Sequence, residues 1–328
     1  MIKRKSFIGF MIACCLIVSS LFVFTACGKE DKTVLKVVSA SGTTTTYETI
    51  TKDIFTNLEA GSTVTLLKDA TYEGEEYIPL NKSITIDFGG KKLTTTKSGG
   101  FDIKEEKTVT EQVEVVLKNG TLDTYKWGIW VENGGKLTVE SNFTLIANRV
   151  KATDCAGIAI INPGSQLDLY GKVQVDGDTN AVSGVGNKGQ GDVIINIHDG
   201  AVITGGENGV YMPNSGALTI GAATITAKTA VYLRSGTTTI NGATLHATGA
   251  KVGYTYVAGH QDATGDAIVV NAVGADKYPG GNPTLNVLAG TTITVDDATC
   301  AEIAVYNVFG NAATVNNATT YQVVTETI

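Results

Sequence analysis

Two stretches, GAKVGYTYVAGHQDATG (249–265) and AVGADKYPGGNP (272–283), concentrate the side chains able to move protons or contact a sugar ring. The first carries Tyr254, Tyr256, His260 and Asp262, with Asp266 just behind it. The second carries Asp276, Lys277 and Tyr278. Asp262 or Asp266 would serve as general acid or base with His260 as partner. Cleavage of a glycosidic bond needs two carboxylates at a set separation, which Asp262 with Asp266 or Asp276 would supply. The competing use is recognition. Aromatic side chains offer flat apolar faces to pyranose rings, and loops longer than a scaffold requires are where binding residues gather.

Both stretches flank the strand 267–270, which is one rung of a ladder. Strand starts read GIWV (128–131), GIAI (157–160), AVSG (181–184), GVYM (209–212), AVYL (230–233), AIVV (267–270) and EIAV (302–305). The spacings are 29, 24, 28, 21, 37 and 35, and the last two are long because of the stretches above. Most starts lead to a polar turn, a second strand such as KLTVE (136–140) or TTTI (237–240), and a third such as KVQV (172–175) or ATIT (223–226). Each strand alternates, so its apolar side chains share one face. A self-similar period in the twenties indicates a solenoid, because one such coil cannot bury its own apolar face while a stack can.

The ladder resembles the right-handed parallel β-helix of the pectate-lyase-like class. The entry segment 41–93, with its TVTLLKD and ITIDFGGK strands, resembles the N-terminal region of bacterial surface β-helix proteins. The expected fold is all-β: a single-stranded right-handed parallel β-helix solenoid over 41–328 with a short N-terminal capping helix at about 45–61. Ile50, Ile54, Phe55 and Leu58 share one helical face there, Thr45 and Glu48 have capping-box spacing, and Gly61 suits the exit. The last segment, 312–328, or a partner must close the other end. For activity the resemblance implies less. Polygalacturonases of this fold carry an Asn-Thr-Asp run, an Asp-Asp pair, a Gly-His-Gly and an Arg-Ile-Lys, of which only Gly259-His260 has an echo. Pectate lyases of this fold use an arginine base beside calcium carboxylates. Arg149 and Arg234 are the arginines beyond the leader, and no acidic cluster precedes Arg234.

Stacking turns sequence phase into columns. Ile129, Ile158, Val182, Val210, Val231, Ile268 and Ile303 form the expected inward column. The outward one is Trp130, Ala159, Ser183, Tyr211, Tyr232, Val269 and Ala304, with Trp130 about three coils, roughly 14 Å, from Tyr211. Trp130, Tyr211 and Tyr232, with Arg234, Tyr254, Tyr256 and Tyr278, make an expected sugar-stacking strip. The same aromatics would also arise from strand preference and coil-to-coil stacking. Asn133, Asn162, Asn214 and Asn307, with Ser235 in phase, fall in the following turn and read as an asparagine ladder.

Lys3, Arg4 and Lys5 precede an apolar run from Phe7 to Phe24 and then Thr25-Ala26-Cys27. This resembles a bacterial lipoprotein signal, which implies cleavage after residue 26, lipid on Cys27, a tether over 27–40 and an extracytoplasmic, membrane-anchored location. An uncleaved membrane anchor is the other reading, since the run is long enough to span. Without the leader's three basic residues the acidic excess is about ten, which argues against nucleic acid as a partner. Cys155 and Cys300 share a phase but stand five coils apart, about 24 Å, too far for a disulfide. Asp176-Gly177-Asp178-Thr179-Asn180 resembles the start of a calcium loop, but Ala181 and Asn187 stand where Gly and Glu are needed, so a solvated turn and no cofactor are expected. The functions in play are a non-catalytic module binding glycan or another surface polymer, a polysaccharide lyase or hydrolase working at 249–265 and 272–283, and a stalk or adhesin segment with no small ligand.

Overall fold

The computed structural model describes residues 32–104, 112–147, 156–185, 191–256, 263–278 and 280–328. Cys27, Cys155, His260 and Asp262 lie outside these, as does the leader.

Short alternating strands pair in parallel with the equivalent strand of the next coil. Ten of them form one sheet, from Ile78–Leu80 through Ile129–Glu132, Asn208–Met212, Thr229–Leu233 and Ile268–Ala272 to Val323–Thr327. The second and third strands of each coil stack in the same way. Thr237–Ile240 pairs with Thr284–Val287, and Thr224–Ala227 with Thr244–Ala247. The long strands Ile84–Thr95 and Glu114–Thr124 serve both stacks. The architecture is therefore a parallel β-solenoid.

The inward column is realised rung by rung. Ile129 pairs with Ile158, Ile158 with Val182, Val182 with Val210, Val210 with Val231, Val231 with Ile268 and Ile268 with Ile303. All seven are fully buried. Each such Ile, Leu or Val contributes about 1.5–3 kcal/mol of burial, and the neighbouring coil supplies the contact. A column of small residues opens these strands because the coils approach closely there. A Cβ on Gly128 would collide with the carbonyl oxygen of Gly157 one coil on, so GIWV must start with glycine.

Both ends differ from expectation. Leu35–Val38, expected in the tether, is a strand that pairs antiparallel with Thr44–Tyr47 and with Thr63–Leu66. Its alternation buries Leu35 and Val37, so the folded unit starts at Thr33 rather than at 41. The helix is only Lys52–Thr56. Thr45 does not cap it, because the β-branched run of threonines there forms strand Thr44–Tyr47. Thr51 holds the N-cap position with extended backbone and no side-chain bond. Ile50 and Leu58 join the core from outside the helix, and Phe55 within it faces Phe101 at 6.3 Å. At the other end, residues 312–328 extend the stacks as Thr314–Asn317 and Val323–Thr327, and the Tyr321 hydroxyl accepts the Ile293 N–H at 3.0 Å.

The asparagine column is a ladder over one rung. Asn162 Nδ2 donates to Asn133 Oδ1 at 2.8 Å, and both residues have positive φ. Asn214 and Asn307 bond backbone instead, to Val185 O and Ala313 N. Asp178 bonds Lys228 at 2.6 Å, so that turn is occupied by a lysine ammonium.

Candidate functional site

The outward column also pairs in register, with Trp130 opposite Ala159, Ser183 opposite Tyr211, and Tyr211 opposite Tyr232. Its accessibility departs from the expected strip. Tyr211 is 5% exposed, Tyr232 and Arg234 0%, and Tyr278 2%. The described parts of the insertions, 249–256 and 273–278, lie over the sheet as a roof and create a second apolar cluster outside it. Val269, Val273, Tyr278, Ala304, Tyr306 and Val308 pack there with the two tyrosines, and Tyr254 and Tyr256 close it at the edge.

Arg234 sits at the centre of this cluster. Its guanidinium lies 5.2 Å from the ring of Tyr278, 5.8 Å from Tyr232, and 5.9 Å from both Tyr211 and Tyr256. It donates a hydrogen bond to the Tyr278 hydroxyl. Ring faces substitute for water around the cation, and arginine keeps its charge under burial. Burial pushes the Tyr211 hydroxyl well above the ordinary range, and those of Tyr232, Tyr254 and Tyr256 in the same direction. Tyr254 stacks on Tyr306 at 4.3 Å and donates to Asn271 Oδ1 at 2.9 Å, while Asn271 Nδ2 donates to the Tyr232 hydroxyl at 3.1 Å. As a contact strip for a soluble polymer, Tyr211, Tyr232, Arg234 and Tyr278 are therefore corrected: they hold the roof down.

Asp266 is corrected in the same way as a candidate acid or base. It is fully buried, and both oxygens are engaged. Oδ1 accepts from Lys251 Nζ at 2.7 Å and Ala301 N at 2.7 Å. Oδ2 accepts from Thr264 Oγ1 at 2.7 Å, from Tyr306 OH at 2.9 Å and from Lys251 Nζ at 2.9 Å. A carboxylate held by so many donors has no lone pair facing solvent. Asp276 and Lys277 stand exposed on the second insertion. They border an open depression of about 440 Å³ with Val273, Phe309 and Asn311. Among the described residues, no group of three or more His, Cys, Asp or Glu side chains is placed to hold a metal ion.

The first coils keep an accessible aromatic surface. Trp130 is half-buried, with Trp127 at 4.4 Å and Tyr77 at 5.9 Å between ring centroids. Asp102 lies beside Trp130 in the preceding coil, and Lys104 beside Glu132. Lys104 Nζ bonds Asp102 Oδ2 at 2.6 Å and stands 3.5 Å from Glu132 Oε1. The hydrogen bond that Lys104 donates to Asp102 raises the Lys104 pKa, so the ammonium stays charged. The indole Nε1 of Trp130 and the Oδ1 of Asp102 are buried and have no hydrogen-bond partner. Of this group the sequence pointed to Trp130 alone. Trp127 and Tyr77 sit in turns, where strand phase assigns no direction. No protein family, curated protein or solved structure matches the chain.

Proposed function

We propose that this chain is a lipid-anchored cell-surface module, a right-handed parallel β-helix of the pectate-lyase-like class, that binds glycan chains without cleaving them. Cys27 would carry the anchor, and the helical segment near 52–56 would close the first coil. The observation that carries the reading is the Trp127–Trp130–Tyr77 group beside Asp102. A pyranose has an apolar C–H face that suits the partly exposed indole rings of Trp127 and Trp130. Binding without chemistry is favoured because Asp266 is consumed by five hydrogen-bond contacts inside the roof.

The sequence contains two tryptophans, Trp127 and Trp130, so intrinsic fluorescence reports on this group alone. Titration with neutral tetrasaccharides derived from mixed-linkage β-glucan, galactomannan and xylan should quench or shift the emission for at least one of them. No reducing ends should appear on incubation with the parent polymers. Replacement Trp130→Ala should abolish the response. An unchanged spectrum across all three sugars, or release of reducing ends, would contradict the proposal.

A further inference from the structure

We infer that the depression bordered by Phe309, Asp276, Lys277 and Asn311 is a second glycan-contact site, so that the module reads polymer chains and not isolated sugars. The inference rests on the glycan-binding reading above. Its first two observations are independent of the tryptophans.

The first observation is backbone conformation. Phe309 has φ 56°, in the left-handed region that a bulky side chain resists. Among the described residues, the other non-glycine positions with positive φ are Asn119, Asn133 and Asn162. Where this chain needs only a left-handed turn, it therefore uses asparagine, the residue that tolerates the conformation best. At 309 it places an aromatic ring instead, and leaves that ring 60% exposed. Backbone strain of this kind persists where a side chain has work beyond folding.

The second observation is what surrounds the ring. Tyr256 meets Phe309 edge-on at 5.1 Å between centroids. The depression beside it holds about 440 Å³ and combines the apolar walls of Val273 and Phe309 with the exposed carboxylate of Asp276 and ammonium of Lys277. An aromatic face with a few polar groups at its rim suits a sugar ring, as at Trp130.

The third is placement. Trp130 and the strand leading to Phe309 belong to the same parallel sheet, six coil steps apart through Ala159, Ser183, Tyr211, Tyr232, Val269 and Ala304. At about 4.8 Å per step the rungs of Trp130 and Ala304 are about 29 Å apart, and Phe309 lies five residues beyond Ala304 along the chain. A glycan chain long enough to bridge them gains the avidity of two linked contacts, and a tetrasaccharide does not.

The test compares full-length wild-type chain with Phe309→Asn and Phe309→Gly, both of which accept the left-handed turn. Probes are mixed-linkage β-glucan, galactomannan and xylan, each as polymer and as tetrasaccharide. Expected is a polymer affinity at least tenfold above that of the tetrasaccharide, and lowered about tenfold in both variants. Tetrasaccharide quenching of tryptophan should be unchanged, and the melting temperature equal or higher. Unchanged polymer affinity in the variants, or a lowered melting temperature without it, would overturn the second site and leave the tryptophan site standing. An equal loss of tetrasaccharide response would also overturn it, by tying Phe309 to the first site. No response of wild-type protein to any probe would remove the glycan-binding reading, and this inference with it.

Discussion

Lys251 and Asp266, at opposite ends of one insertion, form a bond that ties the roof to the solenoid: Nζ lies 2.7 and 2.9 Å from the two carboxylate oxygens, and Asp266 is fully buried. Replacement Lys251→Met leaves that charge with its hydroxyl and amide donors only. Breaking a buried pair from one side costs about 3 kcal/mol or more. Urea denaturation of the variant should show that loss. A change within about 0.5 kcal/mol, the ordinary scatter for surface substitutions, would mean the pair does not hold the roof.

Tyr232 and Trp130 should separate stability from binding. Replacement Tyr232→Ala removes a buried ring from the second cluster and should cost about 3–5 kcal/mol, as large aromatic deletions do. Replacement Trp130→Ala, at a half-buried position, should cost far less and remove the glycan response. Parallel denaturation and fluorescence titration check both, and the reverse pattern would return the contact strip to the roofed coils.

The Cys300 thiol is pushed up to about 11, first by burial and then by the charges of Asp266 and Asp297. A raised folded value means that the neutral thiol favours the folded state at lower pH. That contribution fades as pH rises from the ordinary thiol range, about 8.5, through about 11. Native protein at pH 8 should therefore alkylate at Cys300 much more slowly than urea-unfolded protein, read by peptide mass mapping. Equal rates would place the thiol in solvent.

Replacement Cys27→Ser should move the protein from the membrane fraction to the soluble fraction or stall its processing, checked by fractionation and palmitate labelling. Unchanged, label-free membrane association would favour the uncleaved anchor.

The stack was readable from the sequence because strand alternation and a repeated period specify register directly. Each rung from Ile129 to Ile303 followed from phase alone. The same alternation gives the side of a strand from which Tyr211 and Tyr232 project, but not what covers them. Two insertions supply that cover, and insertions carry no period. Val34 to Val38 is a short valine-rich stretch that reads equally as a linker until its partners at Thr44–Tyr47 and Thr63–Leu66 are known. Phe309 was hidden for the opposite reason: it contradicts local preference, and such a residue becomes visible only through its backbone φ.

Hydroxyl-radical footprinting of the full-length chain, read residue by residue, probes the division of the outer face most directly. Phe309, Trp127 and Trp130 should be oxidised readily, while Tyr211, Tyr232 and Tyr278 stay protected until the protein unfolds. Labelling of Tyr211 and Tyr232 at the rate of Phe309 would show that no roof covers those coils, and would contradict the assignment of binding to the open ends of the face.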